Sequence, residues 1–372
     1  MRVAVVSKNR DQYSETFIHD HVKLLSPECW YLHGDYLPLF YSKGMDGNDH
    51  SFLTDNPKIW FKKQDKITPG SGAHKTAIAR FLKENKIEIV LAEYGPSGVE
   101  MMEVCKAISV PFVVHFHGYD AYRTDILNYY GKQYPQLFAQ AAAIIVVSNH
   151  MKQQLIRLGA PQNKIFLNPY GIDPELFPAR KEFIHSTTFF AAGRFCETKS
   201  PHLTLFSFSK MKNQAQTAKL VMAGDGLLLE ACKILANALN ISDCVHFPGV
   251  LQPKEISEWM QKSLAFVQHS YTTSENDKEG TPVTILEAAM SGLPVISTLH
   301  AGIPEAVEHD KTGFLVDEGD VEGMANYMLK LFQNPQLGAE MGKAGKQKIE
   351  KEYLQKDKIQ SLKTILETVR NK

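Results

Sequence analysis

Two glutamates, Glu279 and Glu287, stand eight residues apart across an expected loop–helix junction. Thr281 can cap that helix, and Pro282 fits its first turn. Val283, Ile285, Leu286, Ala289 and Met290 make it apolar, and Gly292 with Pro294 stops it. Glu287 lies four residues after Val283 and three before Met290, so its carboxylate joins the apolar face. A buried unpaired carboxylate is costly and needs a donor-rich partner. Either the protein supplies it, through backbone amides or a Lys or Arg, or a ligand does. The ligand alternative places a phosphate-holding helix N-terminus at the mouth of a parallel sheet.

Other groups could share such a site. Arg194 and Lys199 leave an expected strand end at a loop, where two cations could neutralise a diphosphate. The competing reading is a surface pair with Glu197. Gly224, Asp225 and Gly226 form the turn after the next strand. A further strand ends in His115-Phe116-His117-Gly118-Tyr119-Asp120, where α/β sheets place ligands and where His117 could handle a proton. Two histidines and an aspartate there could suggest a metal. No second ligand cluster is apparent in the sequence, and no metal site is assigned.

The elements that must position these groups alternate in type. Short apolar runs at residues 3–6, 88–92, 111–115 and 141–147 read as buried parallel strands, with helices between them. Ser14 is expected to cap the first helix with Glu15 in its first turn, and Ser148 to cap a later one. Residues 30–39 read as a second strand region, and 41–70 as an irregular surface excursion. Lys58, Lys62, Lys63 and Lys66 there, with Trp60 and Phe61, suit either a membrane or acceptor contact or a solvated face. Residues 174–186 form the expected domain boundary. Strands at 187–192, 218–223, 245–247, 264–269 and 293–297 make a second β/α half. No Gly-x-Gly-x-x-Gly follows the first strand, so a dinucleotide fingerprint is absent.

The chain has 372 residues, too many for one ordinary core, and two domains are expected. The formal net charge is zero, which gives no global argument for nucleic acid. Cys29, Cys105, Cys196, Cys232 and Cys244 form no Cys-x-x-Cys pair and read as buried thiols of a reducing compartment. The N-terminus enters a strand directly and no run approaches ~18 apolar residues, so a cytoplasmic protein without a membrane span is expected.

Residues 193–199 and 270–316 hold these motifs in an order that resembles the retaining glycosyltransferases of family GT4. Ser14-Glu15-Thr16-Phe17-Ile18, Asn276-Asp277-Lys278-Glu279-Gly280, Thr298-Leu299-His300-Ala301-Gly302-Ile303-Pro304-Glu305 and Gly313-Phe314-Leu315-Val316 resemble the subgroup that includes colanic-acid-type enzymes of bacterial surface polysaccharide synthesis. That subgroup often has a Gly-Asp pair where this chain has Asn276-Asp277-Lys278, which leaves the sugar open.

The resemblance implies an α/β chain with the GT-B fold, two doubly wound Rossmann-like domains facing across a cleft. Residues 1–178 would be the acceptor side and 179–350 the nucleotide-sugar side, with a helical tail at 351–372 packing back on the first domain. It implies that Glu279 binds donor-sugar hydroxyls and Glu287 the ribose. Gly280 and Thr281, beside Pro282, would meet the diphosphate, as would Arg194 and Lys199. Gly224, Asp225 and Gly226 would border the base. His117 would meet the sugar from the opposite domain. Ser14, Glu15, Tyr94, Tyr119 and Asp120 are the acceptor-side candidates. The donor would be a UDP-sugar, alternatively a GDP-sugar, with no obligatory metal or cofactor. The acceptor would be a saccharide or an undecaprenyl-linked oligosaccharide, with peripheral contact at the cytoplasmic face of the inner membrane admitted. The alternatives are a GT-B phosphorylase or sugar-phosphate synthase, and a non-catalytic sugar-nucleotide-binding partner.

Overall fold

A computed structural model describes residues 1–10, 12–13, 15–53, 68–180 and 186–370. Ser14 and the basic cluster of Lys58, Lys62, Lys63 and Lys66 with Trp60 and Phe61 lie outside the described residues. The chain divides into two units, Met1–Pro169 with Asp357–Lys372, and Tyr170–Lys356. The described part of the expected boundary segment, 174–180 and 186, lies in the second unit.

Unit 1 carries, among the described residues, an eight-stranded sheet. Its strands are β1 (Val3–Val6), β2 (Cys29–His33), β3 (Phe40–Lys43), β4 (His50–Ser51), β5 (Ile89–Glu93), β6 (Phe112–Phe116), β7 (Ala143–Val146) and β8 (Ile165–Leu167). Their order is β4-β3-β2-β1-β5-β6-β7-β8. The β2–β3 and β3–β4 pairs are antiparallel and the others parallel. The central strands are buried along their whole length, which is why they read as continuous apolar runs rather than as alternation. Part of the expected surface excursion is thus strand. Tyr41 stacks on His50, Phe52 and Phe81 and brings β3 and β4 onto the sheet edge.

Helix α1 (Thr16–Leu24) starts later than expected. Glu15 occupies the N-cap position without a side-chain cap, and its carboxylate turns to other partners. Ser148 caps its helix as expected, accepting the Met151 N–H at 3.2 Å. Helix α2 (Gly95–Ile108) follows β5 after a single residue, Tyr94, at φ 74°. The last helix, α4 (Gln355–Arg370), buries Leu362, Ile365, Leu366 and Val369, one helical stripe, in the core that holds Val3, Val5, Ile89 and Leu91.

Unit 2 carries, among the described residues, a six-stranded parallel sheet. Its strands are β9 (Thr188–Ala192), β10 (Lys219–Ala223), β11 (Val245–Gly249), β12 (Ala265–Val267), β13 (Val295–Thr298) and β14 (Gly313–Val316), in the order β11-β10-β9-β12-β13-β14. Phe189, Leu205, Phe208, Leu220, Ile296 and Phe314 pack into its core. Helix α3 (Val283–Met290) begins one residue later than the sequence implies. Pro282, at ψ 117°, takes the N-cap position expected for Thr281, because its backbone is still extended there.

Candidate functional site

In unit 2 the loops after β9, β10 and β13 lie at the carboxyl ends of parallel strands. The β9 and β10 loops are locked together. The Gly193 N–H donates to the Ala223 carbonyl at 3.0 Å, and the Phe195 N–H to the Asp225 carbonyl at 2.9 Å. Gly224 and Gly226 sit at φ 130° and 148°, and a Cβ on either would collide with the Gly193 or Phe195 backbone. Glycine is therefore required at both positions. Exposed Asp225 lies between them, its carboxylate accepting the Gly226 N–H at 2.7 Å. Exposed Arg194 and partly buried Lys199 border a small pocket with Gly193, Phe195, Ala223 and Gln268.

Lys199 does not pair with Glu197. Its Nζ lies 2.9 Å from Glu279 Oε1, with the two side chains only 15% and 14% exposed. This bond joins the β9 loop to the loop preceding α3. Gly280, Thr281 and Pro282 are buried at the start of that helix. Glu287 is partly buried, and among the described residues its carboxylate has no hydrogen-bond or ion-pair partner. Burial pushes its pKa up to about 8, against the opposing pull of Lys199. The expected mismatch between a carboxylate and an apolar face is thus present in the ligand-free chain.

In unit 1, His117 follows β6 and is buried between Phe17 and Tyr94, with ring centroids at 4.6 and 4.7 Å. Tyr94 stacks on Tyr119 at 4.8 Å and donates its hydroxyl to Glu15 at 2.9 Å. Asn9 also donates to Glu15, at 3.2 Å. His117, Glu15, Tyr94 and Tyr119 therefore form one cluster. Asp120 has a different task. It is fully buried, and its carboxylate accepts the N–H groups of Gly95, His117 and Gly118 at 2.9, 3.0 and 2.9 Å. It ties two strand-end loops together.

The residue behind this cluster is Glu93, whose importance the sequence reading missed. It ends β5 and is 0% exposed. His21 Nδ1 and His117 Nε2 each lie 2.7 Å from one of its oxygens, and His115 Nδ1 lies 3.6 Å away. Burial alone would raise its pKa. The charge on His21 and the hydrogen bonds from His117 and His21 outweigh burial and hold it well below the usual carboxylate range. Burial, reinforced by His117, keeps His115 neutral, and both its ring nitrogens lack a hydrogen-bond partner among the described residues. The signal in the sequence was an acid closing the apolar run Ile89-Val90-Leu91-Ala92, beside the two histidines of β6.

His21, Glu93 and His115 present ligand atoms within 4.8 Å of one another. Two atoms bound to one tetrahedral zinc stand about 3.3 Å apart, given Zn–N bonds of ~2.0–2.1 Å. The 2.7 Å contacts of Glu93 are instead hydrogen-bond distances. Both carboxylate oxygens already accept a proton, so the cluster fits a hydrogen-bonded array better than a metal centre.

Known proteins share this organisation. Residues 174–348 match the family model of glycosyl transferases group 1, and residues 44–176 that of glycosyltransferase family 4. The amylovoran biosynthesis glycosyltransferase AmsK of Erwinia amylovora is 30% identical over 306 residues, covering 80% of this chain and 75% of that protein. WcaL of Escherichia coli K12, a candidate colanic acid biosynthesis glycosyltransferase, is 28% identical over 289 residues, covering 76% and 71%. The crystal structure of Anabaena HepE (Alr3699) in complex with UDP and glucose superposes with a TM-score of 0.76 at 16% identity, over 99% of this chain and 100% of that one. With two Rossmann-like units of this architecture, the chain belongs to the group 1 and family 4 glycosyltransferases and has the GT-B fold.

Proposed function

We propose that the chain transfers a hexose or N-acetylhexosamine from a nucleotide-diphosphate sugar to a saccharide in surface polysaccharide synthesis, with retention of anomeric configuration. The observation that carries this reading is the set Lys199, Glu279 and Glu287 at one sheet edge, two of them paired and the third an acid without a partner among the described residues. The relatives' names, amylovoran and colanic acid biosynthesis, support the polymer class. HepE bound to UDP and glucose is consistent with a UDP-sugar donor, with a GDP-sugar as the alternative.

Unit 2 is assigned the donor. A diphosphate would take Lys199 from Glu279, and the released carboxylate would accept sugar hydroxyls. Ribose hydroxyls would donate to Glu287, supplying the partner that burial demands. Arg194, Lys199 and the start of α3 would stabilise the charge that develops on the leaving diphosphate. The reading assigns this stabilisation to the cations and helix amides, without an obligatory metal. In the transfer step the acceptor oxygen bonds to the anomeric carbon on the face the leaving group vacates. The bond to the diphosphate oxygen breaks, and the acceptor proton passes to a phosphate oxygen.

Unit 1 is assigned the acceptor, with His117, Glu15, Tyr94 and Tyr119 meeting saccharide hydroxyls. No helix among the described residues is long and apolar enough to cross a membrane. A lipid-linked acceptor would then be met at the membrane surface. The test is a panel of UDP- and GDP-sugars with a lipid-linked oligosaccharide acceptor, read by mass spectrometry and anomeric NMR. One donor should give a product that retains the donor's anomeric configuration. Release of sugar phosphate from a glycan and inorganic phosphate, without any nucleotide sugar, would contradict the reading.

A further inference from the structure

His300 follows β13 and is fully buried. The backbone N–H of Glu279 donates to its Nε2 at 3.0 Å. A backbone N–H can only donate, so Nε2 must carry a lone pair. The other nitrogen, Nδ1, lies 2.6 Å from Glu318 Oε1. Glu318 also accepts the Thr272 N–H at 2.7 Å and the Thr272 hydroxyl at 3.0 Å. Its partial burial opposes ionisation, but the Thr272 amide and the His300 ring outweigh it and lower its pKa, which leaves a carboxylate. A carboxylate can only accept, so Nδ1 must carry the proton. The tautomer is fixed from both sides. Neither the imidazolium nor the Nε2–H form could receive the Glu279 amide.

We propose that His300 is a positioning residue for sugar transfer, a neutral Nδ1-protonated imidazole that clamps the Glu279 amide, while Glu318 locks its tautomer. The inference rests on reading Glu279 as the sugar anchor. Residues 273–277 close on themselves, through the bonds of Thr273 N–H to the Asp277 carbonyl and Asp277 N–H to Thr273 Oγ1. The clamp lies just beyond that turn and ties Glu279 to the strand end. Rotation of the 278–279 peptide would swing the Glu279 carboxylate away from Lys199, and a misplacement of about 1 Å near a reacting centre costs ~100-fold in rate. The Glu279 amide is also consumed, so the amides offered to a diphosphate begin at Gly280.

Two substitutions separate the ring's two contacts. Gln at 300 can place an acceptor near the Nε2 position but loses the Nδ1 donor. Asn can donate to Glu318 but cannot reach Glu279. In ligand-free protein, imidazole ¹⁵N NMR should find His300 in the Nδ1–H form. Exchange of the Glu279 amide should speed up about 10-fold in His300→Asn, with His300→Gln recovering most of the protection. With UDP-glucose and GDP-mannose as probes, kcat/KM for the accepted donor should fall about 10-fold or more in His300→Asn. Its affinity for UDP or GDP alone should be unchanged. An Nε2–H tautomer, equal exchange in the two variants, or lost protection with unaltered kcat/KM would overturn the proposal. If neither probe is turned over, the NMR and exchange arms still decide the clamp, and the donor assignment alone is in question.

Discussion

Glu93 in unit 1 and Glu287 in unit 2 are two acids drawn into apolar surroundings, and the chain treats them in opposite ways. Glu93 has two histidines at hydrogen-bond distance and a third beside it, and its pKa is driven down. Glu287 has no hydrogen-bond or ion-pair partner among the described residues, and its pKa is driven up to about 8. An acid satisfied by its own fold serves to hold that fold. An acid left unsatisfied is what the proposed function assigns to another molecule's donors. The same contrast separates Asp120, held by three amides, from Glu279, held among the described residues by its ion pair with Lys199.

The largest effect should follow from breaking the satisfied acid. Glu93→Ala leaves three imidazoles around a cavity, and loss of one partner from a buried charged pair costs about 3–5 kcal/mol. Chemical denaturation of unit 1 should report it, and an unchanged midpoint would remove Glu93 from the scaffold. Next in size is Lys199→Ala. Loss of a leaving-group cation should lower kcat/KM for the accepted donor by about 100-fold or more, with little loss of stability. A normal value would exclude Lys199 from that role.

Glu287→Gln sharpens the comparison because its two consequences have opposite signs. Nucleotide affinity should fall about 10-fold, since each ribose hydrogen bond to a charged group contributes about 1.5 kcal/mol or more. The ligand-free protein, freed of a carboxylate that burial penalises, should not lose stability and should gain it at alkaline pH.

The smallest effects are pH slopes. The folded pKa of Glu287 lies above its ordinary 4.5, so folding favours its protonated form. Its contribution is lost as pH rises from 4.5 through about 8. The folded pKa of Glu93 lies below 4.5, so its contribution is complete above that value and is lost as pH falls below it. His115, kept neutral by burial, adds a loss on the acid side as pH falls through its ordinary 6.5, where only the unfolded chain takes a proton. Thermal melts from pH 4 to 9 should therefore fall at both ends. The alkaline fall should be shallower in Glu287→Gln.

What was legible in the sequence follows the same division. Glu287 was conspicuous because its conflict is local, an acid at helical spacing from Val283 and Met290. Strand ends were legible for the same reason, since each apolar run stops at a polar or glycine-rich loop. Glu93 was not, because its partners come from elsewhere in the chain, His21 being 72 residues away and His117 24. His300 stands inside the 298–305 motif, yet its two ring contacts are with Glu279 and Glu318, which only the fold brings to opposite edges of the ring. The extension of the sheet by β3 and β4 was hidden by weak alternation, and it rests on the aromatic packing of Tyr41, Phe52 and Phe81.

In the proposed function Glu287 awaits a nucleotide. Isothermal titration of UDP and of GDP at pH 7, in buffers of different ionisation enthalpy, tests it directly. Ribose hydroxyls that donate to Glu287 favour its carboxylate and lower its pKa from about 8, so binding should release a proton. Glu287→Gln should bind more weakly and release correspondingly fewer protons. Equal affinity and equal proton release in the two proteins would contradict the claim.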